Sequence, residues 1–202
     1  MKLYYSPGAC SLAPHIVLNE LGLPFEAVAV DLKTHKLADG TDYYSINPKG
    51  YVPALVLDNG EALTEIAAIL QYLGDLNPQA KLLPAYGTLE RYRVIEWLTF
   101  ISSELHKGFS PLWNPTLPEA AKQIFRDKLA QRFTYLDKHL ADKSYLMGEQ
   151  YTVADAYAYN ILSWKDALKL DISSWKNLEA YVRRNAARQQ VRETVHSEKL
   201  AA

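Results

Sequence analysis

The fold is decided by the first stretch of the chain, Met1-Lys2-Leu3-Tyr4-Tyr5-Ser6-Pro7-Gly8-Ala9-Cys10-Ser11-Leu12. Residues 3–5 predict a short strand, residues 6–8 predict a turn, and a helix is expected from Leu12 onward. The only cysteine of the chain, Cys10, is therefore expected where a strand leads into the N-terminus of a helix.

Position alone leaves two interpretations of Cys10. At the start of a helix, unpaired N–H groups and the positive end of the helix dipole lower the pKa of a thiol and favour the reactive thiolate. The alternative is a small buried hydrophobic residue, which is the usual role of a cysteine outside a disulfide. The rest of the chain has to decide between them.

Composition excludes several classes of protein. The 202 residues are 49% hydrophobic and 22% charged, as in ordinary soluble globular proteins. Lys and Arg (22) nearly balance Asp and Glu (23), so no basic surface for nucleic acid or anionic lipid is indicated. No run has the length and hydrophobicity of a membrane span, and no leader segment is recognisable. With a single cysteine, this pattern predicts a soluble cytoplasmic protein without nucleic-acid or membrane partners.

The first part of the chain predicts a small mixed sheet flanked by helices. Thr64 has the side chain of an N-cap, and a helix is predicted from there to about Leu76. Together with the N-terminal strand, the predicted strands make a four-stranded sheet and an α/β domain over residues 1–80. The other elements predicted in this part are a helix over 12–21 and strands over 25–31, 54–57 and 62–63.

The second part of the chain is helical throughout. After a linker over residues 81–86, an all-helical bundle domain is predicted for residues 87–202. A long helix is predicted from Thr88 to Lys107, with Gly108 as its end. Further helices are predicted over 119–141, 153–168, 175–186 and 188–196. One face of the long helix carries polar residues at i, i+4 and i+7, namely Thr99, Ser103 and His106.

Thr152 and Asp155 have the spacing of a capping box at the helix that starts at Val153. In such a box the two side chains accept hydrogen bonds from the first N–H groups of the helix. Both residues are therefore interpreted as structural, and no chemistry is assigned to them.

A strand, a turn, Cys10 and a helix, followed by Val52-Pro53 at a strand start, form the pattern by which a thioredoxin-like fold builds a thiol site. Proline at this position is typically cis, and the backbone of Val52 is left to pair with an extended peptide. Because Cys10 has no second cysteine in a C-x-x-C motif, its natural partner is an external thiol such as glutathione. Thr64-Glu65 adds helix-start N–H groups and a carboxylate, which suit a γ-glutamyl group.

The sequence resembles the bacterial glutathione transferases of the beta class over its whole length. The resemblance implies a thioredoxin-like domain, an all-helical domain, a homodimer, and one glutathione per subunit as co-substrate, with no metal. The residues that carry it are Tyr5-Ser6-Pro7-Gly8-Ala9-Cys10-Ser11, Asn47-Pro48-Lys49-Gly50, Val52-Pro53-Ala54-Leu55, Leu63-Thr64-Glu65, Ile95-Glu96-Trp97, Glu104-Leu105-His106-Lys107-Gly108-Phe109 and Thr152-Val153-Ala154-Asp155-Ala156-Tyr157.

The resemblance also implies which residues meet glutathione. Cys10 contacts the glutathione sulfur and can form a mixed disulfide with it, and Cys10 and His106 are the implied catalytic residues. Thr99 and Ser103 are expected to reach the glutathione of the partner subunit. The full implied binding set is Cys10, His35, Val52, Pro53, Glu65, Ile66, Thr99, Ser103, His106 and Lys107.

Three of these positions depart from the usual pattern of the family. Position 66 is commonly small but is Ile66 here, position 35 is usually Lys but is His35, and position 99 is usually Asn but is Thr99. Because histidine is a weaker and pH-dependent cation, weaker glutathione binding is expected. Plainer interpretations remain open: His35 as a surface residue, Glu65 as a charge on the helix dipole, and His106 as a cation at a helix end.

The leading functional hypothesis is a detoxifying transferase that joins the glutathione thiolate to hydrophobic electrophiles, with added redox activity through a Cys10 mixed disulfide. One alternative is a glutathione-dependent thiol-disulfide reductase or peroxidase. Another is a non-catalytic binding protein for hydrophobic compounds. No motif in the sequence identifies the electrophile.

Overall fold

The computed structural model describes residues 1–200, which form two compact units. The first unit contains residues 1–81 together with residues 188–200, and the second contains residues 82–187. The domain bounds of 1–80 and 87–202, with a linker over 81–86, remain predictions. By packing, however, the last helix belongs to the first unit.

The first unit is built on a mixed sheet of five strands in the order β3-β2-β1-β4-β5. The strands β1 and β2 are parallel because helix α1 (Leu12–Leu21) connects them, and all other neighbours are antiparallel. The predicted thioredoxin-like α/β class is confirmed, and the sheet has one strand more than the four predicted. The strands are β1 (Lys2–Tyr5), β2 (Glu26–Asp31), β3 (Lys36–Leu37), β4 (Ala54–Val56) and β5 (Ala62–Thr64).

The additional strand, β3, has only two residues and pairs with the end of β2. Asp31 closes the turn between the two strands, because its carboxylate accepts hydrogen bonds from the Lys33 N–H (2.8 Å) and the Thr34 hydroxyl (2.9 Å). His35 then adopts a left-handed conformation with φ 54°. So short a strand in a polar segment has no alternation from which it could be predicted.

Helix α2 (Ile66–Leu76) begins after Glu65, which stands at the N-cap position with φ 69° and ψ 118°. No side chain caps this helix. Thr64 instead ends β5, and its hydroxyl accepts a hydrogen bond from Lys49 Nζ at 3.1 Å. The prediction that Thr64 caps the helix is therefore wrong, because the chain turns one residue later.

The C-terminal helix α8 (Gln189–Leu200) packs against α1. Arg188, directly before α8, forms a two-point ion pair with Glu20, with distances of 2.8 and 2.9 Å. Asn19 donates a hydrogen bond to the Thr194 hydroxyl at 2.7 Å. These contacts join the end of the chain to the first helix, which is why α8 belongs to the first unit.

The second unit is all-helical, as predicted. Its central helix is α6, whose residues 153–162 are all buried and which packs against α3 and α7. The capping box of Thr152 and Asp155 is present at the start of α6. The helices are α3 (Leu89–Phe100), α4 (Lys107–Phe109), α5 (Glu119–His139), α6 (Val153–Ala167) and α7 (Lys176–Ala186).

The long helix does not end at Gly108, so that prediction is wrong. Between α3 and α4 the chain continues as a π-helical segment, Ile101–His106, and α4 leads into a 3₁₀ turn, Ser110–Trp113. Gly108 lies inside this continuous stretch, where it allows close packing against α5. A Cβ at Gly108 would lie 2.9 Å from Cδ2 of Leu129.

No helix within residues 1–200 has both the length and the hydrophobicity required to span a membrane. In the same part of the chain, no three His, Cys, Asp or Glu side chains are grouped in a way that could hold a metal ion.

Candidate functional site

Cys10 lies in the turn between β1 and α1, two residues before the helix begins. Its side chain is only partly buried, and its Sγ donates a hydrogen bond to the carbonyl oxygen of Val52 at 3.2 Å. Ser11 shapes the turn, because its hydroxyl accepts from the Ser6 N–H at 3.1 Å and donates to the Ser6 carbonyl at 3.3 Å. The thiol is thus held at the start of α1 rather than enclosed in the core.

Glu198 of α8 connects this turn to α1. Its carboxylate, in a residue that is 2% exposed, accepts a hydrogen bond from the Gly8 N–H at 3.1 Å and lies 2.8 Å from Nδ1 of His15. Tyr5 packs against the His15 ring, and burial together with the charge of Glu198 raises the pKa of Tyr5. These contacts order the backbone on both sides of Cys10.

Val52 and Pro53 lie buried in the bend before β4, and the peptide bond between them is cis, as expected. One residue earlier, the carbonyl of Tyr51 accepts two hydrogen bonds, from the Tyr43 hydroxyl at 2.9 Å and from Asn47 Nδ2 at 2.6 Å. Burial raises the pKa of Tyr43 to about 12, so this hydroxyl keeps its proton and donates it. The backbone of the bend is therefore fixed by side chains from the preceding loop.

At the start of α2, Glu65 adopts a positive φ that residues other than glycine rarely adopt, which is a frequent feature of ligand sites. Its carboxylate is 72% exposed and forms a 2.7 Å ion pair with Lys49. Ile66 and its successor supply the first N–H groups of α2, which have no partner within the helix. The Ile66 side chain lies in the core at 7% exposure, so a ligand contact at this position has to use the backbone.

His35 packs on Tyr44, with the ring centroids 4.6 Å apart. Its Nδ1 is buried and has no hydrogen-bond partner among residues 1–200. In the described chain no direct hydrogen bond joins His35 to Cys10, Val52 or Glu65. The sequence-based grouping of His35 with these residues thus depends on a ligand that bridges them.

In the second unit, Thr99 and Ser103 lie one helical turn apart and are both exposed, as is Lys107. Each hydroxyl donates to its own helix, Thr99 to the carbonyl of Ile95 and Ser103 to that of Thr99, both at 2.9 Å. Their oxygens keep lone pairs that can accept a hydrogen bond from outside the helix. The two residues therefore share one face, as their spacing indicates.

His106 ends the π-helical segment and is held by two residues of α6. A 2.8 Å hydrogen bond joins its Nδ1 to the Tyr157 hydroxyl, and its ring packs edge-on against Trp164 with centroids 5.1 Å apart. Burial, reinforced by the charge of Lys107, lowers the pKa of His106 to about 4. The imidazole is therefore neutral at pH 7, and the interpretation as a cation at a helix end is not supported.

The sequence predicted no role for three side chains that support these groups, namely Tyr43, Asn47 and Tyr157. Asn47 had a usable signal, because an asparagine in a turn commonly bonds its side chain to nearby backbone. Tyr43 and Tyr157 act through contacts that only the tertiary structure creates. Tyr157 lies in a stretch that carries the family resemblance, but the local sequence of neither tyrosine identifies the partner of its hydroxyl.

A groove of about 610 Å³ borders the Cys10 turn in the first unit. Ser6 and Pro7 form one side, and residues 29–34 with 36–38 form the other. Lys33, Lys36 and Asp31 line this second side, so the groove carries a small net positive charge. It offers room beside the turn for a molecule the size of a small peptide.

These features define a thioredoxin-like protein with a single-thiol site and an attached all-helical unit. Residues 8–76 match the model of the glutathione S-transferase N-terminal domain, and residues 100–189 match that of the C-terminal domain. The chain belongs to the glutathione S-transferase family.

Similar proteins cover the chain from end to end. It is 45% identical to glutathione S-transferase GstA of Escherichia coli O157:H7, over 99% of this chain and 100% of GstA. A sphingomonad glutathione S-transferase, solved in complex with glutathione, is 45% identical with a TM-score of 0.95, over 99% of this chain and 100% of that one. The beta-class enzyme of Sphingomonas chungbukensis is 48% identical with a TM-score of 0.95, over the same shares. The predicted family and class are confirmed.

Proposed function

We propose that this protein is a beta-class glutathione transferase that joins the thiolate of glutathione to hydrophobic electrophiles. The observation that carries the proposal is the 3.2 Å hydrogen bond from Cys10 Sγ to the Val52 carbonyl. It brings the only thiol of the chain beside a backbone segment that can pair with an extended peptide. A peptide thiol bound along Val52 has its sulfur next to Cys10 and to the start of α1.

Each part of glutathione has a matching group in the first unit. Glu65 suits the γ-glutamyl ammonium, and the Ile66 N–H suits the α-carboxylate of the same residue. In the structure the Glu65 carboxylate is paired with Lys49. On binding, the ammonium group of glutathione replaces Lys49 as the partner of this carboxylate. The Val52–Pro53 bend pairs with the cysteinyl part, and His35 is proposed for the glycyl carboxylate.

Conjugation requires glutathione as the thiolate, because RS⁻ rather than RSH is the nucleophile. Lowering a thiol pKa by two units requires about 2.7 kcal/mol of differential stabilisation. The N-terminal dipole of α1 supplies about 0.3–2 kcal/mol of this, and the Cys10 S–H can turn from Val52 to donate to the thiolate. We propose two further residues for the reaction, both from the second unit. His106 acts as a neutral proton acceptor or donor, and Lys107 is a glutathione-binding residue.

The proposal extends to a homodimer that acts in detoxification in the cytoplasm. The exposed Thr99 and Ser103 support the dimer, because their oxygens can accept hydrogen bonds from a ligand held by a second copy. Light scattering is expected to give twice the 22.9 kDa mass of one chain. A mass of one chain would refute this part.

The conjugation of glutathione to an aryl halide, followed by absorbance, tests the function. Glu65→Gln is expected to raise the KM for glutathione at least tenfold with a much smaller change in kcat, because the ligand loses its counter-charge. Glu61→Gln, an exposed carboxylate in the preceding hairpin turn, is the matched control and is expected to behave as wild type. Absence of saturable conjugation by the wild type would refute the proposal.

A second activity, disulfide exchange with glutathione, is favoured by the partial exposure of Cys10. The Cys10 thiolate attacks one sulfur of oxidised glutathione, the new mixed disulfide forms as the old S–S bond breaks, and one glutathione thiolate leaves. The intact mass after incubation with oxidised glutathione is expected to rise by one glutathionyl group. The idea is wrong if the wild type gains no adduct or if the adduct persists in Cys10→Ala.

A further inference from the structure

The carbonyl of Tyr51 receives two hydrogen bonds from the protein interior. The donors are the Tyr43 hydroxyl at 2.9 Å and Asn47 Nδ2 at 2.6 Å, and these residues are 0% and 2% exposed. The Tyr43 ring packs against Tyr4 in the core cluster around Val30, so its hydroxyl cannot move away without disturbing that packing. The Tyr51 side chain itself is 73% exposed, so these hydrogen bonds fix the backbone of Tyr51 and not its side chain.

Holding this carbonyl also sets the direction of the next N–H. The Tyr51 carbonyl and the Val52 N–H belong to one trans peptide group, which is planar, so the two point in opposite directions. The Val52 N–H therefore points away from Tyr43 and Asn47. No hydrogen bond joins it to another group within residues 1–200. The carbonyl oxygen of Val52 accepts a hydrogen bond from the Cys10 thiol.

We propose that Tyr43 and Asn47 are positioning residues for the thiol substrate, because they orient the Val52 N–H toward the peptide group of bound glutathione. The inference rests on the proposed function and adds two residues to it that do not touch the ligand. Because this N–H is already oriented in the free protein, no entropy is lost in ordering the Tyr51–Val52 peptide group when glutathione binds, and the affinity is higher. Removing either donor weakens glutathione binding without altering the reacting groups.

A purely structural role makes a different prediction. A buried tyrosine hydroxyl needs a partner in any case, and its loss can lower stability alone. Positioning instead raises the KM for glutathione while kcat at saturation stays the same. Each donor compensates only in part for the loss of the other, because a single variant leaves the carbonyl with one partner instead of two. The double variant is therefore expected to lose more affinity than the product of the two single effects.

The kinetic test compares Tyr43→Phe, Asn47→Ala and the double variant. Tyr43→Phe removes one hydroxyl and keeps the ring, and is expected to raise the KM for glutathione three- to tenfold with kcat within twofold of wild type. Tyr4→Phe removes the hydroxyl of the ring that packs against Tyr43, and is the matched control with an unchanged KM. If Asn47→Ala does not fold, Tyr43→Phe and its control still decide the question.

A spectroscopic test reads the N–H directly. In protein labelled with ¹⁵N-valine, saturating S-methylglutathione is expected to shift the Val52 amide proton downfield, and this shift is expected to be at most half as large in Tyr43→Phe. If the wild type binds no S-methylglutathione, the proposed function fails. If the wild type binds and Tyr43→Phe has the same KM and the same Val52 shift, the positioning role is overturned, whatever its stability.

Discussion

The imidazole of His106 lies in a largely buried environment that favours its neutral form over the protonated one. It is held between the Tyr157 hydroxyl and the edge of Trp164, and Lys107 follows it in the chain. Burial and the neighbouring positive charge both oppose protonation, which lowers the pKa to about 4. Proton uptake by His106 is therefore linked to unfolding.

The sign of this linkage follows from the two pKa values. Between about pH 4 and the ordinary value of 6.5, the unfolded chain binds a proton at His106 and the folded chain does not. The free energy of unfolding therefore falls as the pH is lowered through this range. His106→Gln removes the contribution, so we expect it to lose about 2 kcal/mol less stability than wild type between pH 7 and pH 5.

Urea unfolding at the two pH values measures this difference. His196→Gln is the matched control, because His196 is exposed, and it is expected to keep the pH dependence of the wild type. The loss of the Tyr157 hydrogen bond in His106→Gln affects both pH values alike and cancels. An unchanged pH dependence in His106→Gln would mean that His106 titrates normally.

Among single residues, those that the sequence could nominate for the site are the ones at a recognisable local pattern. Cys10, Val52 and Glu65 each follow a recognisable strand or helix boundary. No role of Tyr43 or Tyr157 could be predicted in this way, because each hydroxyl acts through a partner outside its own element, eight and 51 positions away along the chain. Their roles depend on packing, which a local pattern does not encode.

At the start of α6, one buried carboxylate supports three segments. Asp155 accepts hydrogen bonds from the Leu146 N–H, the Thr152 N–H and hydroxyl, and the Tyr181 hydroxyl, at 2.8–2.9 Å. Asp155→Ala leaves these buried donors without a partner, so we expect a loss of at least about 3 kcal/mol in the free energy of unfolding. Thermal unfolding measures it, and Asp142→Ala, at an exposed site, is expected to leave the midpoint unchanged.

The contact between Gly108 and α5 predicts that the effect of Gly108→Ala on the free energy of unfolding changes sign when Leu129 is shortened. Alanine at Gly108 places a Cβ 2.9 Å from Cδ2 of the buried Leu129, and such overpacking costs about 1–3 kcal/mol. Alanine also gains about 0.5–1 kcal/mol over glycine within a helix. We therefore expect Gly108→Ala to destabilise the wild type and to stabilise a Leu129→Ala variant.

Chemical denaturation of the two pairs measures both changes. If Gly108→Ala has the same sign in both backgrounds, the close approach to Leu129 is not what requires glycine there.

The long elements were predictable where a local signal agrees with the packing: hydrophobic periodicity in α2, Gly22 at the end of α1, and the capping box at the start of α6. The errors fall where a local signal competes with a tertiary contact. Gly108 carries the usual signal of a helix end, but close packing on Leu129 keeps it inside the helix. Thr64 is a good N-cap by type, but Lys49 engages its hydroxyl and Glu65 makes the turn.

For the molecule as a whole, the packing of α8 against the first unit is what the linear sequence does not predict. A chain that ends at Ala187 lacks the Arg188–Glu20 ion pair and the Glu198 carboxylate that bonds the Gly8 N–H. We expect this chain to unfold at a lower temperature and its Cys10 to react faster with an aromatic disulfide reagent, because the turn loses its support. A chain that ends at Lys199 keeps Glu198 and serves as the control. Equal reaction rates for the two would contradict the role given to α8.

The contact between Glu198 and Gly8 joins residues 190 positions apart. On the ribosome, the carboxylate that completes the surroundings of the thiol turn is made 190 residues after Gly8 of that turn. The first unit therefore cannot reach its final form as it emerges, whereas residues 82–187 form one uninterrupted length of chain. The order of synthesis delays the mature thiol site until Glu198 has left the exit tunnel, so a chain that terminates before residue 198 carries an incomplete thiol site.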